Sequence, residues 1–326
     1  MHNHVYPAGT EPHPRGRGRG REEAPAVGLA LGDELRRSGF TAVCASYVLD
    51  FAANERPGDA RANLLRWLDA MDAELERAGV RRALGAKDLE AARDHGVPVL
   101  VQSVEGAHFI EGDLARLAEV HGRGLRHLQL LHEKDDLVRP LGDTNTAVAH
   151  LGGLTPFGAD VVRECNRLGI LVDLAHASHE TVAAVLRVTS RPVIVSHTNL
   201  TTWAGSNPRL AEMMRPRLIA VEHAKAVADA GGIVGVWTHL TSSVGELVAS
   251  IKAMVDAIGA DHVGLGTDTD LLSSRPGGGT NVAWPGFSGA LYPAIAAEMT
   301  RQGLSSTEIA KISGENYARV LGAASR

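Results

Sequence analysis

Glu105, His132, His176, His197 and Asp268 are all able to bind a metal or move a proton, and each closes an apolar run of this chain. The runs are "VPVLVQSVEG", "LRHLQLLH", "GILVDLAH", "RPVIVSHT" and "DHVGLGTDTD". A single histidine at such a place is ordinarily a hydrogen-bonded structural residue. A series of acidic and imidazole groups at successive strand ends is harder to explain in that way. A carboxylate among them would be costly without compensation, and a bound cation supplies it. The donors are nitrogen and oxygen only. That suits Zn²⁺ in an open catalytic site, or Mn²⁺, Co²⁺ or Fe²⁺, better than a closed structural site built on cysteine. Two ions bridged by one carboxylate would use this many ligands, clamp a hydroxide and polarise a scissile carbonyl. Glu105 suits the bridge, since each of its oxygens can take one ion.

Such residues act together only if the fold brings the run ends to one place. Apolar or β-branched runs at 40–48, 97–106, 125–132, 169–176, 191–198, 231–239 and 261–270 alternate with helical stretches, several of which end at glycine. Near-continuous apolar strands with crossover helices predict a parallel sheet covered on both faces. An eighth strand at the N-terminus would close a (β/α)8 barrel of the TIM type, whose carboxyl strand ends converge on one mouth. A doubly wound open sheet is disfavoured, because no GxGxxG follows the first strand. The 326 residues then form one barrel domain, with the Arg-, Gly- and Pro-rich stretch 11–26 as a flexible connecting loop.

Composition narrows the function further. A net charge of -5 gives no general attraction to nucleic acid or anionic membrane. No apolar run approaches the roughly 20 residues that span a bilayer. The N-terminus lacks the plan of a signal peptide, and the two cysteines, Cys44 and Cys165, are isolated. These features predict a cytoplasmic protein acting on a small molecule, with neither nucleic acid nor membrane as partner.

At these residues the chain resembles the membrane (renal) dipeptidase family, zinc dipeptidases within the metal-dependent amidohydrolase-like barrels. The matching stretches are "SVEGAH", "GLTPFGADVVRECNRLGILVDLAHAS", "RPVIVSHT", "NPRL", "GGIVGVW", "HVGLGTDTD" and "IAKISGENYARVL", spread over roughly residues 95–322. The resemblance implies a metallo-dipeptidase in which two zinc ions activate a hydroxide to cleave a dipeptide amide. Glu105 would bridge the ions, with His176 and His197 as the other ligands of the second. Asp268 would lie near the first ion and handle the proton of the bridging water. His132 would polarise the substrate carbonyl or stabilise the oxyanion. Arg209 would pair with the free carboxylate of the dipeptide. The family habit also implies a homodimer.

The chain departs from the family at its start. The family has His-x-Asp at the end of its first strand, and the only candidate here is His2-Asn3-His4, a neutral ligand in place of an anionic one. Little chain precedes it, so the first strand is expected to be truncated or atypical. This leaves two alternatives: an enzyme acting on a lactone, cyclic amide or modified peptide, or a non-catalytic relative binding one metal or none. His239, just past the seventh run, and Asp270 are candidates to support the site, and for each a structural role is the plainer reading. Asp173 reads as a structural hydrogen-bonding group of the barrel, and the glycines of 275–281 suit either a loop over the mouth or a plain surface loop.

Overall fold

The computed structural model describes residues 1, 3–5, 31, 35, 39–49, 56–133, 138–271, 284 and 291–326, with the backbone alone at 3–5 and 270–271. The loop expected at 11–26 and the glycine-rich stretch at 275–281 lie outside the described residues.

The chain forms the parallel barrel that the runs predict. Its strands are β1 (Asn3–Val5), β2 (Ala42–Val48), β3 (Arg81–Arg82), β4 (Val99–Glu105), β5 (Leu125–Gln129), β6 (Leu171–Asp173), β7 (Ile194–Thr198), β8 (Ile233–Val236), β9 (Val263–Leu265) and β10 (Thr269–Leu271). The order is β10-β1-β2-β4-β5-β6-β7-β8-β9, with the two-residue β3 beside β4, and every pairing is parallel. β9 and β10 are two halves of one stave interrupted at 266–268. The first half bonds to β8 and the second to β1, which closes the ring.

The first strand is short, as expected, yet it is paired on both sides. Asn3 lies opposite Thr269 of β10 and Ala45 of β2, and His4 opposite Asp270 and Ser46. No edge is left unpaired at this point, the usual hazard of a missing stave. The Met1 amine donates to the Leu265 carbonyl at 2.6 Å, which ties the first residue to β9.

Strands buried on both faces need bulky β-branched residues outside and a tight fit inside. Gly235 and Gly266 meet the second need: a Cβ there would come within 1.9 and 1.6 Å of the Ser196 carbonyl oxygen. The covering helices are amphipathic. In Asp59–Ala78, Leu64, Trp67, Leu68, Met71 and Leu75 recur at helical spacing and are all buried. Thr155, Ser178, Ser243 and Ser305 cap their helices through side-chain oxygens. The last helix, Asn316–Ala324, sends Tyr317, Val320, Leu321 and Ala324 into the cluster formed by Val99, Val101, Leu171, Ile194 and Ile233. It therefore packs against the early residues of the strands, and the opposite ends remain for chemistry. Among the described residues no helix is long and apolar enough to cross a membrane.

Candidate active site

At the carboxyl ends of four successive staves, Glu105, His132, His176 and His197 converge. Glu105 ends β4 and is 2% exposed. Its Oε1 lies 3.3 Å from His176 Nε2, 3.6 Å from His132 Nε2 and 3.7 Å from His197 Nε2. The Nε2 atoms of His176 and His197 are 3.0 Å apart. Donors bound tetrahedrally at the usual zinc distances would be separated by roughly 3.3 Å. Glu105, His176 and His197 thus offer three ligand atoms at the spacing of a coordination shell, and they fit a metal ion. The expected donors from β4, β6 and β7 are the ones the fold brings together.

Local structure fixes each of them. His176 sits three residues beyond the end of β6 with φ 65°, a left-handed conformation that costs a non-glycine residue about 1 kcal/mol or more. Its carbonyl accepts from the Asn145 amide at 2.9 Å, and Thr144 bridges Ala177, so the 142–145 segment holds the unfavourable turn. That segment is itself organised by Asp143, which accepts from the amides of His150, Leu151 and Gly153. His197 lies within β7, and its Nδ1 is 2.9 Å from the Ser196 hydroxyl. A partner at Nδ1 fixes the ring so that Nε2 faces Glu105. The Gln129 amide reaches Glu105 Oε1 at 3.4 Å and donates to the Leu131 carbonyl at 2.6 Å.

His132 follows β5 by three residues, its ring edge-on to that of His176 with centroids 4.9 Å apart. Burial pushes its imidazole down to about 3, and the Glu105 carboxylate only partly offsets this. It is therefore neutral near pH 7 and can donate one hydrogen bond without adding charge.

Asp268 belongs to the break between β9 and β10 and has φ 54°. Its Oδ2 lies 3.0 Å from His239 Nε2, three residues past β8. The His239 ring stacks on Trp237 at 4.7 Å with an interplanar angle of 2°, and Trp237 also borders His197 at 6.2 Å. His2 and the side chains of His4 and Asp270 lie outside the described residues.

A shallow, open cleft adjoins His176 and His197, with Asn145, Thr198, Arg217, His179 and His223 as its other polar residues. Arg209 is not among its lining groups. It is exposed on the helix Pro208–Met214, which Asn207 caps and Pro208 starts, and that helix turns it outward. The chain then returns through a 3₁₀ turn, Arg215–Arg217, whose last residue reaches the cavity. The Arg217 carbonyl accepts from Thr198 at the end of β7 at 2.8 Å, and its guanidinium pairs with Glu133. His179 and His223 stack at 4.0 Å, and burial followed by the neighbouring His223 lowers the His179 imidazole. Sequence reasoning missed Arg217, Ser196, Gln129 and Trp237. For Ser196 and Gln129 the available signal was a polar residue facing the interior of an otherwise apolar strand.

The model of the membrane dipeptidase family, peptidase family M19, matches residues 31–326. The chain belongs to that family. Among curated relatives, Dipeptidase tcpJ of Claviceps purpurea is 30% identical over 228 residues, 68% of this chain and 50% of its own length. The aligned region spans about half the length of the curated relatives it matches. Among solved structures, an amidohydrolase from Pseudomonas aeruginosa superposes with a TM-score of 0.74 at 21% identity, covering 90% of this chain and 92% of that one. A metallopeptidase from Rhodobacter sphaeroides, liganded with a phosphinate mimic of the dipeptide L-Ala-D-Ala, gives 0.73 at 21% identity, covering 93% and 92%. Both share their fold with this chain.

Proposed function

We propose that this protein hydrolyses the amide bond of a dipeptide at a transition-metal centre held by Glu105, His176 and His197. The convergence of those donor atoms, 3.0–3.7 Å apart at the barrel mouth, carries the reading. Membership of the dipeptidase family and the dipeptide mimic bound by the relative from Rhodobacter sphaeroides support it. In this reading the full centre would take two zinc ions, and Glu105, His176, His197, His2, His4 and Asp268 would hold them. The metal would supply Lewis acidity at the scissile carbonyl and lower the pKa of a water.

The chain's own groups do the rest. Asp268 takes the proton of the attacking water and delivers it to the leaving amine. Neutral His132 donates to the oxygen on which charge develops. In this reading the substrate's terminal carboxylate pairs with Arg217 in place of the expected Arg209, a choice supported by Arg217 bordering the site and by a fork that suits a carboxylate.

The metal-loaded protein should hydrolyse Ala-Ala dipeptides of either C-terminal configuration, lose the activity to a chelator and regain it with Zn²⁺. Absence of turnover of any dipeptide by protein shown to carry metal would overturn the reading. Arg217→Met should raise KM roughly 10- to 100-fold, the weight of a charge-assisted hydrogen bond of about 1.5–3 kcal/mol. Arg209→Met should leave KM within about twofold, because surface substitutions have small effects. Steady-state kinetics on the two variants separates the assignments.

A further inference from the structure

We infer that His239 is the positioning residue of Asp268: it grips one carboxylate oxygen and so sets where the other one points. The inference rests on the reading of Asp268 as the group that carries the proton, and it adds a partner that the reading does not require.

The two residues stand on neighbouring staves, and the fold fastens both together. Thr238, beside His239, donates its hydroxyl to the carbonyl of Thr267, beside Asp268, at 2.8 Å. The amide of Gly266 donates to the Val236 carbonyl at 3.1 Å. Thr267 Oγ1 lies 3.0 Å from Thr269 Oγ1 and 2.7 Å from the Tyr292 hydroxyl. The left-handed backbone at Asp268 is unfavourable in isolation and persists because these bonds over-determine it. Backbone and threonine contacts thus hold the position of the Asp268 Cα.

Rotation of the carboxylate about its Cβ–Cγ bond is a separate matter. It is soft, since terminal torsions of this kind are broad. His239 Nε2, 3.0 Å from Oδ2, restrains it. The imidazole is in turn held flat by Trp237, which is 1% exposed and parallel to it within 2°. The side chains of the pair are 12% and 15% exposed, so water competes little for the contact. The arrangement has the form of a working group oriented by a second residue and steadied by a third, here with the carboxylate as the working group. Trp237 also borders His197, so one indole registers the proton-handling pair against the metal-ligand cluster.

The test compares His239→Phe, His239→Gln and Asp268→Asn, alone and combined, in protein whose metal content and melting temperature are measured first. Phenylalanine keeps a flat ring on Trp237 and removes the nitrogen; glutamine restores an N–H that can reach Oδ2. His239→Phe should bind the same amount of metal as the parent and lose kcat roughly 10- to 100-fold, the usual cost of removing an orienting partner. Its KM should stay within about twofold, and His239→Gln should recover much of kcat. Adding His239→Phe to Asp268→Asn should cost nothing further, because residues acting as a unit are non-additive. A kcat for His239→Phe within twofold of the parent overturns the inference, as does a loss that multiplies fully with that of Asp268→Asn. If Asp268→Asn keeps full kcat, the reading of Asp268 itself fails, and the two failures are thereby told apart.

Discussion

Glu105→Gln should give a folded barrel that binds metal poorly and hydrolyses no dipeptide. One oxygen of this side chain faces the Nε2 atoms of three histidines within 3.3–3.7 Å, at 2% exposure. The amide has the same shape, so packing around β4 is kept. It removes the negative charge that offsets a dication, and an amide oxygen is a weak ligand beside a carboxylate. A metal contributes several kcal/mol of charge stabilisation to the transition state, so its loss should lower kcat/KM by roughly 1,000-fold or more. Metal content after dialysis and the melting curve with and without added Zn²⁺ check the first half. The parent should gain stability with zinc through mass action, and the variant should gain little. A variant that retains both the metal and the activity would remove Glu105 from the centre.

The prominence of Glu105 in the sequence has a physical reason. A strand buried on both faces excludes ionisable groups, so a glutamate closing "VLVQSVE" is conspicuous against its neighbours. The same logic exposed His176 and His197. It could not supply their geometry, because His176 lies beyond its strand on a left-handed turn held by the 142–145 segment. Strand ends were overestimated for this reason: the runs through His132, His176 and His239 continue after the last ladder pair, and the chemistry begins where pairing stops.

Other features depend on contacts between distant segments. The run 261–270 reads as one strand, and the fold splits it so that β9 serves β8 and β10 serves β1. That break creates the position of Asp268, and nothing local announces it apart from the glycines around it. Arg209 and Arg217 look equivalent in the sequence, each beside a proline in a polar stretch. A helix cap at Asn207 turns one outward, and a return to the end of β7 brings the other to the cavity. The pairing of His239 with Asp268 joins residues 29 apart, which periodicity cannot reveal.

The interior of the barrel should prove as sensitive to substitution as the mouth, with Asp173→Ala costing about 3–5 kcal/mol, the penalty for breaking a buried ion pair. Asp173 is 0% exposed and its carboxylate accepts from the amides of Ala175 and Ser196 at 3.0 and 2.9 Å. Its other oxygen faces His127 Nε2 at 3.0 Å, and Tyr317 of the last helix lies 3.3 Å from His127 Nδ1. Burial opposes charge on both partners. Their hydrogen bond and mutual charge, together with the Cys44 contact to His127 and the His197 and Ser196 contacts to Asp173, outweigh it, pushing His127 up to about 9 and holding Asp173 below its usual range. The sign follows from these directions. His127 is raised, so its contribution is complete below its unfolded value of 6.5 and is lost as pH rises toward 9. Asp173 is depressed, so its contribution is complete above 3.8 and is lost as pH falls. The pair stabilises most between about pH 4 and 6.5, and the parent should lose up to about 1.4 kcal/mol per pH unit above that window. The buried Cys44 thiol, raised by burial but lowered overall by His127, the Met1 amine and Tyr317 together, acts in the opposite sense below its unfolded value, so parent and variant are compared over one interval, pH 6.5 to 8, in which both carry that thiol. Asp173→Asn keeps the shape and can still accept from both amides, so it should fold with a smaller loss and a flatter profile in that interval. Urea denaturation at pH 6.5 and 8, with NMR titration of His127, measures both effects. A His127 that titrates below 6.5 in the parent, or equal slopes in parent and Asp173→Asn, would show that the interior pair is uncharged and that packing alone holds the staves in register.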